Sequence, residues 1–500
     1  MSASLLHNAL VLTMTPERPR AEAVAVRDGR IAALGSEPEA AGALDGNAER
    51  IDCAGGVLLP AFIDAHCHLL AYAASLRSVD CSAARSIAEI QRLVRERAAG
   101  AAAGGWVRAF GYEETALAEG RHPTRRDLDA AAPDHPVRLV HRSGHASVLN
   151  SAALLLAGVD IATEEPPGGS IERELPSGEP SGLLLEMERW IDGAAPPLPY
   201  EELAGGVREA SSALLRAGVT CLQDATHTNG RSAWELFERL MADGVLPLDV
   251  VMMEGFGQLG ELPETDSGDR LQRGPVKIVI AELGDEIVPD EAELARQAGE
   301  VHAAGRQVAV HAVGERAVLA ATDAIEAALR DRPRPDHRHR IEHCSLLPDG
   351  VAARLARLGV VVVSQPAFVR ERGDRYLQLV AQERLRSLYA FRELEEAGVP
   401  LAAGSDAPVT RPEPLASVAA AVERTAASGR AVGPNQAVGV EDALRWWTSG
   451  AARAAFLEHE RGAIRPGLRA DLVLLPAGAL NATPDDLRSM HVERVWRGAR

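Results

Sequence analysis

Lysine is almost missing from this chain: of its 53 basic side chains only Lys277 is a lysine, and all the others are arginine. Paired cysteines are missing too. Cys53, Cys67, Cys81, Cys221 and Cys344 are odd in number and show no CxxC spacing, so they read as reduced thiols of a cytoplasmic protein. An excess of positive charge is absent, with 71 acidic against 53 basic residues and a net charge of −18. That balance argues against nonspecific binding to nucleic acid or to an anionic membrane and fits a solvated acidic surface. No charged-then-apolar leader opens the chain, and no apolar stretch approaches a membrane span. Internal repeats and low-complexity tracts are also lacking.

What is present is an ordinary globular composition, 46% hydrophobic and 25% charged, over 500 residues. That length exceeds a small single core and calls for one large barrel or several domains. Eight short apolar runs alternate with helical patterns: Val57 to Ile63, Val219 to Gln223, Leu248 to Met252, Val276 to Ile280, Gln307 to Val310, Arg340 to Glu342, Val360 to Ser364 and Leu401 to Ala403. Such alternation predicts a (β/α)8 TIM barrel, although a doubly wound open sheet gives a similar pattern. The first segment, to about Leu58, alternates apolar runs with turns and carries a hairpin signal at Asp28-Gly29. The run Gly462-Ala-Ile-Arg-Pro-Gly-Leu-Arg-Ala-Asp-Leu-Val-Leu-Leu reads the same way. Neither end has enough strands for a β-sandwich alone, so the termini are expected to pair. The gap between the first two strand candidates is too long for a simple connection and must hold structure of its own. Ser86 to Ala98 reads as a helix, and Trp106 to Tyr112 and Val137 to His141 as strands, which makes an α+β insert. The expected organisation is 1–58 and 456–500 as the two parts of the sandwich, and 59–455 as the barrel with an insert at about 70–215.

Lys277 lies in Gly-Pro-Val-Lys-Ile-Val-Ile, a β-branched run that reads as a buried strand, where an unpaired ammonium is rare. A buried lysine can lose its proton and capture carbon dioxide, exchanging a cation for a carboxylate; an arginine cannot. Asp64-Ala-His66-Cys-His68 follows the first strand candidate, and strand alternation puts both imidazoles on one face. His311 ends Gln-Val-Ala-Val-His, His343 ends Arg-Ile-Glu-His, and Asp406 ends Leu-Ala-Ala-Gly-Ser-Asp. Each falls at the carboxyl end of a strand candidate, where (β/α)8 barrels build active sites.

On Leu59-Pro-Ala-Phe-Ile-Asp-Ala-His-Cys-His, His311-Ala-Val-Gly-Glu-Arg-Ala, Ile341-Glu-His, Gly404-Ser-Asp-Ala-Pro and the closing Pro466-Gly-Leu-Arg-Ala-Asp-Leu-Val-Leu, the sequence resembles the amidohydrolase superfamily. The insert, with Ser143-Gly-His-Ala-Ser-Val-Leu-Asn-Ser-Ala-Ala-Leu, resembles the branch that includes N-substituted formamide deformylases. The resemblance implies two divalent ions, zinc first, with manganese, iron or cobalt as alternatives. His66, His68 and Asp406 would hold one, His311 and His343 the other, and the carboxylated Lys277 (N6-carboxylysine) would bridge them. A shared hydroxide between ions about 3.5–4 Å apart would attack an amide or N-formyl carbonyl, with Asp406 as general base and acid. The resemblance also implies a small-molecule substrate as partner, and, since the family often forms dimers, a homodimer as a candidate assembly; the sequence itself carries no signal for oligomeric state.

One departure concerns Ala281-Glu282-Leu283-Gly284, where members of the branch commonly carry Asp-Gly and a small-residue loop; Glu282 is a candidate to replace that acid. His145 in the insert is a candidate to reach over the barrel mouth as part of a lid, with a structural histidine as the alternative. Tyr112 and Glu113 are weaker candidates for the same lid. Gln365, ending the seventh strand, is a candidate pocket residue or a satisfied core amide, and Asp224 is expected to bond within the barrel. His337 and His339 precede a strand on the opposite side and are discounted. Two rivals stay open: a mononuclear deaminase of a heterocyclic amine, which has no use for the lysine, and a lactone or ester hydrolase on the same centre. A non-enzymatic scaffold would be expected to have lost ligands, and none is missing.

Overall fold

The computed structural model describes residues 3–44, 47–264, 268, 270–284 and 286–498, the side chains of 189, 192 and 283 excepted. Two compact units emerge, one of residues 1–68, 211–282 and 289–500, the other of 69–210 and 283–288. Among the described residues no helix is long and apolar enough to cross a membrane.

The first unit carries an eight-stranded sheet in strictly sequential order: β1 (Phe62–Cys67), β2 (Val219–Asp224), β3 (Asp249–Gly255), β4 (Leu271–Val279), β5 (Val308–Ala312), β6 (Arg340–His343), β7 (Val361–Ser364) and β8 (Leu401–Ala403). Each neighbouring pair is parallel. This is the expected TIM-barrel sheet. The first strand differs from its sequence reading. Val57–Pro60 and Phe62–Cys67 are separate strands, and the former joins another sheet. His66 therefore lies inside β1 rather than beyond its end. The run reads as one because Val57 to Ile63 is apolar and buried throughout, so nothing in the hydropathy marks the break at Ala61.

The termini do pair. Val57–Pro60 lies antiparallel to Leu472–Leu475 in a five-stranded sheet, and Ala3–His7, the two strands of the hairpin about Asp28-Gly29 and Glu49–Asp52 build a four-stranded one. Both hairpin residues sit at positive φ, 50° and 71°, as the two-residue turn requires. Leu6, Val24 and Ile31 from one sheet and Val11, Leu58 and Leu472 from the other share a core. A buried ion cluster ties this sandwich to the barrel: Asp249 at the start of β3 accepts from both Arg461 and Arg469.

β1 and β8 meet along a seam rather than a regular ladder. Asp406 donates its N–H to the His66 carbonyl (2.7 Å) and His68 donates to Ala407 (3.0 Å). Asp64 reinforces the seam, one oxygen accepting from the backbone of His66 (3.1 Å) and Ser405 (3.0 Å), the other from the Ser405 hydroxyl (2.6 Å). Gly404 makes the approach feasible: a Cβ there would lie 2.5 Å from the His66 nitrogen.

Part of the barrel interior is polar where a purely structural barrel would be aliphatic. Fully buried Arg340 forks onto Glu342 (2.7 and 3.0 Å) and also donates to Gln223 and to the Ala65 carbonyl (2.9 Å). β6 is thereby bound to β1 and β2 across the core.

His337 and His339, both with pKa lowered by burial, form with His302 a relay whose hydrogen bonds are ordered by backbone partners. His339 Nδ1 accepts the Val308 N–H (3.0 Å), so its Nε2 donates to His302 (2.8 Å), which donates in turn to Arg332 O (2.7 Å). His337 is closed likewise, by the His339 N–H and by Leu358 O.

The second unit holds a six-stranded sheet in the order Ser170–Arg173, Pro180–Leu185, Ala146–Leu149, Val137–His141, Val107–Tyr112, Val79–Asp80. Ser86 caps the helix Ile87–Ala99, whose Ile87, Ile90, Val94 and Ala98 pack into the core at helical spacing.

Two outcomes follow. Gly404→Ala forces a methyl into the His66 backbone and should cost roughly 1–3 kcal/mol in urea denaturation; an unmoved midpoint would show that the seam is looser than described. Burial, followed by the fields of His337 and Arg334, lowers His339 from 6.5 to about 2. The folded chain then binds fewer protons than the unfolded one, so this stability is intact above pH 6.5 and is lost as pH falls below it. Between pH 6.5 and 4.5 the wild type should lose up to about 1.4 kcal/mol per pH unit more than His339→Gln. Parallel stability curves would refute the relay.

Candidate metal centre

The carboxyl ends of β1, β5, β6 and β8 bring four imidazoles and a carboxylate together. Ring centroids step from His68 to His66 (5.4 Å), from His66 to His343 (4.9 Å) and from His343 to His311 (4.4 Å). His66 and His68 share a face because they are two residues apart along an extended chain. His343 needs a different device. Strict alternation would turn it away from Glu342, yet both reach His66. His343 and the next residue, Cys344, have positive φ, 70° and 49°, which breaks the alternation at the end of β6. Asp406 is likewise at φ 56°, a local cost that Asp tolerates better than most residues and that the seam holds in place.

Asp406 Oδ1 lies 3.4 Å from His66 Nε2 and 3.0 Å from His68 Nε2. Those three residues each offer a ligand atom within 4.8 Å of the others. Edges near 3.3 Å are what a tetrahedral ion with bonds of about 2.0–2.1 Å demands. The opposite ring nitrogens are occupied: His66 Nδ1 by Glu342 Oε2 (2.6 Å), His68 Nδ1 by Thr226 Oγ1 (3.0 Å), His343 Nδ1 by Gln365 Oε1 (2.7 Å). A carboxylate and an amide oxygen only accept, so at His66 and His343 the proton sits on Nδ1 and Nε2 presents a lone pair. The donor set fits a divalent cation of the zinc type.

The electrostatics point the same way. Burial, then the Lys277 charge, lowers His66 well below its ordinary value, and burial lowers His343, so both rings stay neutral. Burial alone would raise Asp406, but the His68 bond and the nearby imidazoles hold it well below the usual carboxylate range. Lys277, on β4, is 3% exposed, and burial brings it from 10.5 down to about 8, against the fields of Glu342 and Asp406. Its amine is thus within reach of the neutral form near neutral pH.

The remaining candidates sit as follows. Gln365 is fully buried and holds His343. Glu282 is exposed and accepts the Gly314 N–H (2.8 Å), which caps the helix Glu315–Asp331 that follows β5. Asp224 accepts from Asn229 (2.8 Å) within its own loop. In the second unit, His145 pairs with Glu186 (3.0 Å), Tyr112 is buried with its hydroxyl on His122 (2.9 Å), and Glu113 pairs with Arg142 (2.6 Å). Sequence reasoning missed Glu342 and Thr226 as partners of the histidines. A signal for Glu342 existed: Arg340 and Glu342 are two residues apart on a short strand, a charged pair on one face. Thr226 had none.

Residues 49–500 match the amidohydrolase family. The chain is 32% identical to the N-substituted formamide deformylase of Arthrobacter pascens over 98% of its own length and 96% of that protein's. It is 29% identical to Protein LONG AFTER FAR-RED 3 of Arabidopsis thaliana, over 97% and 88%. A solved structure of an uncharacterized metal-dependent hydrolase from Pyrococcus horikoshii superposes with a TM-score of 0.77 at 25% identity, covering 97% of this chain and 99% of that one. The chain belongs to the amidohydrolase family and is a metal-dependent hydrolase of carbon–nitrogen bonds other than peptide bonds.

Proposed function

We propose that the chain cleaves the C–N bond of an N-formyl or N-acyl amine at a two-metal centre. The observation that carries this reading is the convergence of His66, His68 and Asp406, with neutral His343, His311 and the lone buried lysine alongside. The similarity to an N-substituted formamide deformylase supports the substrate class. His66, His68 and Asp406 would hold one ion, His311 and His343 the other, and Lys277 as its carbamate would serve both. Divalent cations bound there supply Lewis-acid stabilisation of developing negative charge and make a water acidic near neutral pH. The ionised Asp406 carboxylate accepts a proton as water adds to the carbonyl carbon. It returns that proton to the nitrogen as the C–N bond breaks, releasing a carboxylate and an amine. Glu342, Thr226 and Gln365 keep the imidazoles oriented throughout. We place the protein in the cytoplasm and expect a homodimer.

One observation favours a mononuclear alternative: among the described residues only His66, His68 and Asp406 bring three ligand atoms within 4.8 Å. Metal counting separates the two. Wild-type protein reconstituted with zinc and bicarbonate should hold two ions per chain by plasma mass spectrometry, while one ion would support a deaminase-type centre. Lys277→Arg should hold at most one ion and lose hydrolysis of N-formyl amines by at least about 100-fold. Lys277→Glu, which restores a carboxylate, should retain more metal than Lys277→Arg. Two ions and full activity in Lys277→Arg would end the bridging role.

A further inference from the structure

The histidines differ in what holds their Nδ1 atoms. His66 faces a carboxylate at 2.6 Å, His343 a neutral amide oxygen at 2.7 Å, His68 a hydroxyl at 3.0 Å. The carboxylate is no incidental neighbour. Glu342 and Arg340 are both 0% exposed, and the guanidinium grips both carboxylate oxygens, so the charge is kept where water cannot reach. The same guanidinium holds the Ala65 carbonyl, one residue before His66, which fixes the backbone under the ring as well. A hydrogen bond to an ionised acceptor is stronger than one to a neutral amide, and it pushes electron density onto the far nitrogen, making the imidazole a better ligand. Gln365 offers no such charge.

We infer that Glu342 is a positioning residue that makes the site of His66, His68 and Asp406 the tighter of the two metal positions, while Gln365 separately sets the weaker position of His343. The inference rests on the two-metal reading above. It predicts ordered loading, in which the first equivalent of metal enters the His66 position and the second the His343 position. It also predicts that each position can be weakened alone, because the two anchors lie on different histidines and make no hydrogen bond with one another. Neither residue touches substrate in this assignment; both act through the rings.

The experiment is a zinc titration of the metal-free full chain against a competing chelator, in bicarbonate buffer, with thermal melts to confirm folding. Wild type should show a tight and a weaker equivalent. Glu342→Gln keeps an acceptor oxygen but removes the charge, and should weaken the first equivalent about 10- to 100-fold while leaving the second within about threefold. Gln365→Leu should do the reverse. If Glu342→Gln does not fold, Glu342→Asp keeps a charged partner for Arg340 while drawing the carboxylate back from His66, and the same loss is expected. A Glu342 variant that binds its first zinc as tightly as wild type would overturn the inference, and so would a Gln365→Leu protein that loses the first equivalent instead of the second. Wild-type protein that binds no zinc at all would instead overturn the metal reading beneath it.

Discussion

The structure depends on the seam where the last barrel strand meets the first. His66 lies in β1, His68 just beyond it, and Asp406 just beyond β8, more than 300 residues later in the chain, so no local structure can bring these candidate ligands together. Asp64 does it by accepting from both sides, from the His66 backbone and from the Ser405 backbone and hydroxyl. Gly404 removes the side chain that would otherwise hold the strands apart. Burial raises Asp64 to about 7, against the pull of its three hydrogen bonds, which is a measure of how little solvent reaches this staple.

A barrel closed in this way has an interior to fill, and this one fills part of it with charge. Arg340 and Glu342 are desolvated completely, an arrangement that would be costly if either lacked its partner. Here every strong group is answered: the guanidinium by Glu342, Gln223 and Ala65, the carboxylate by Arg340 and His66. The arrangement makes sense as support for a site rather than as a source of stability. An aliphatic core of equal volume would close the barrel equally well but would leave His66 free to adopt the wrong tautomer.

Strain is placed at the same site. His343 and Asp406 both adopt left-handed backbone conformations, and each gains from it an orientation that an ordinary strand end would not give. His343 is turned toward the interior beside Glu342, and Asp406 is turned back toward β1. The relay of His302, His337 and His339 has the opposite character: backbone groups at each end order its hydrogen bonds, which is why those clustered imidazoles are structural.

Much of this was legible in the residues alone. Periodicity located seven of the eight barrel strands and only the start of the first, because parallel strands buried on both faces leave short continuous apolar runs between amphipathic helices. Residue chemistry at the ends of those runs singled out His66, His68, His311, His343 and Asp406, and the bias against lysine singled out Lys277. The break between Val57–Pro60 and Phe62–Cys67 was not legible, since hydropathy records burial and not which sheet a strand joins. Nor were the partners of the histidines: Glu342 stood only as the middle residue of Ile341-Glu-His, Gln365 as a pocket candidate or core amide, and Thr226 carried no signal. By itself the sequence determined which side chains could bind metal and on which strands they would sit. The tertiary structure decided which ring nitrogen each histidine presents, because a hydrogen bond between residues hundreds of positions apart is set by strand register and barrel closure, neither of which is written in local pattern.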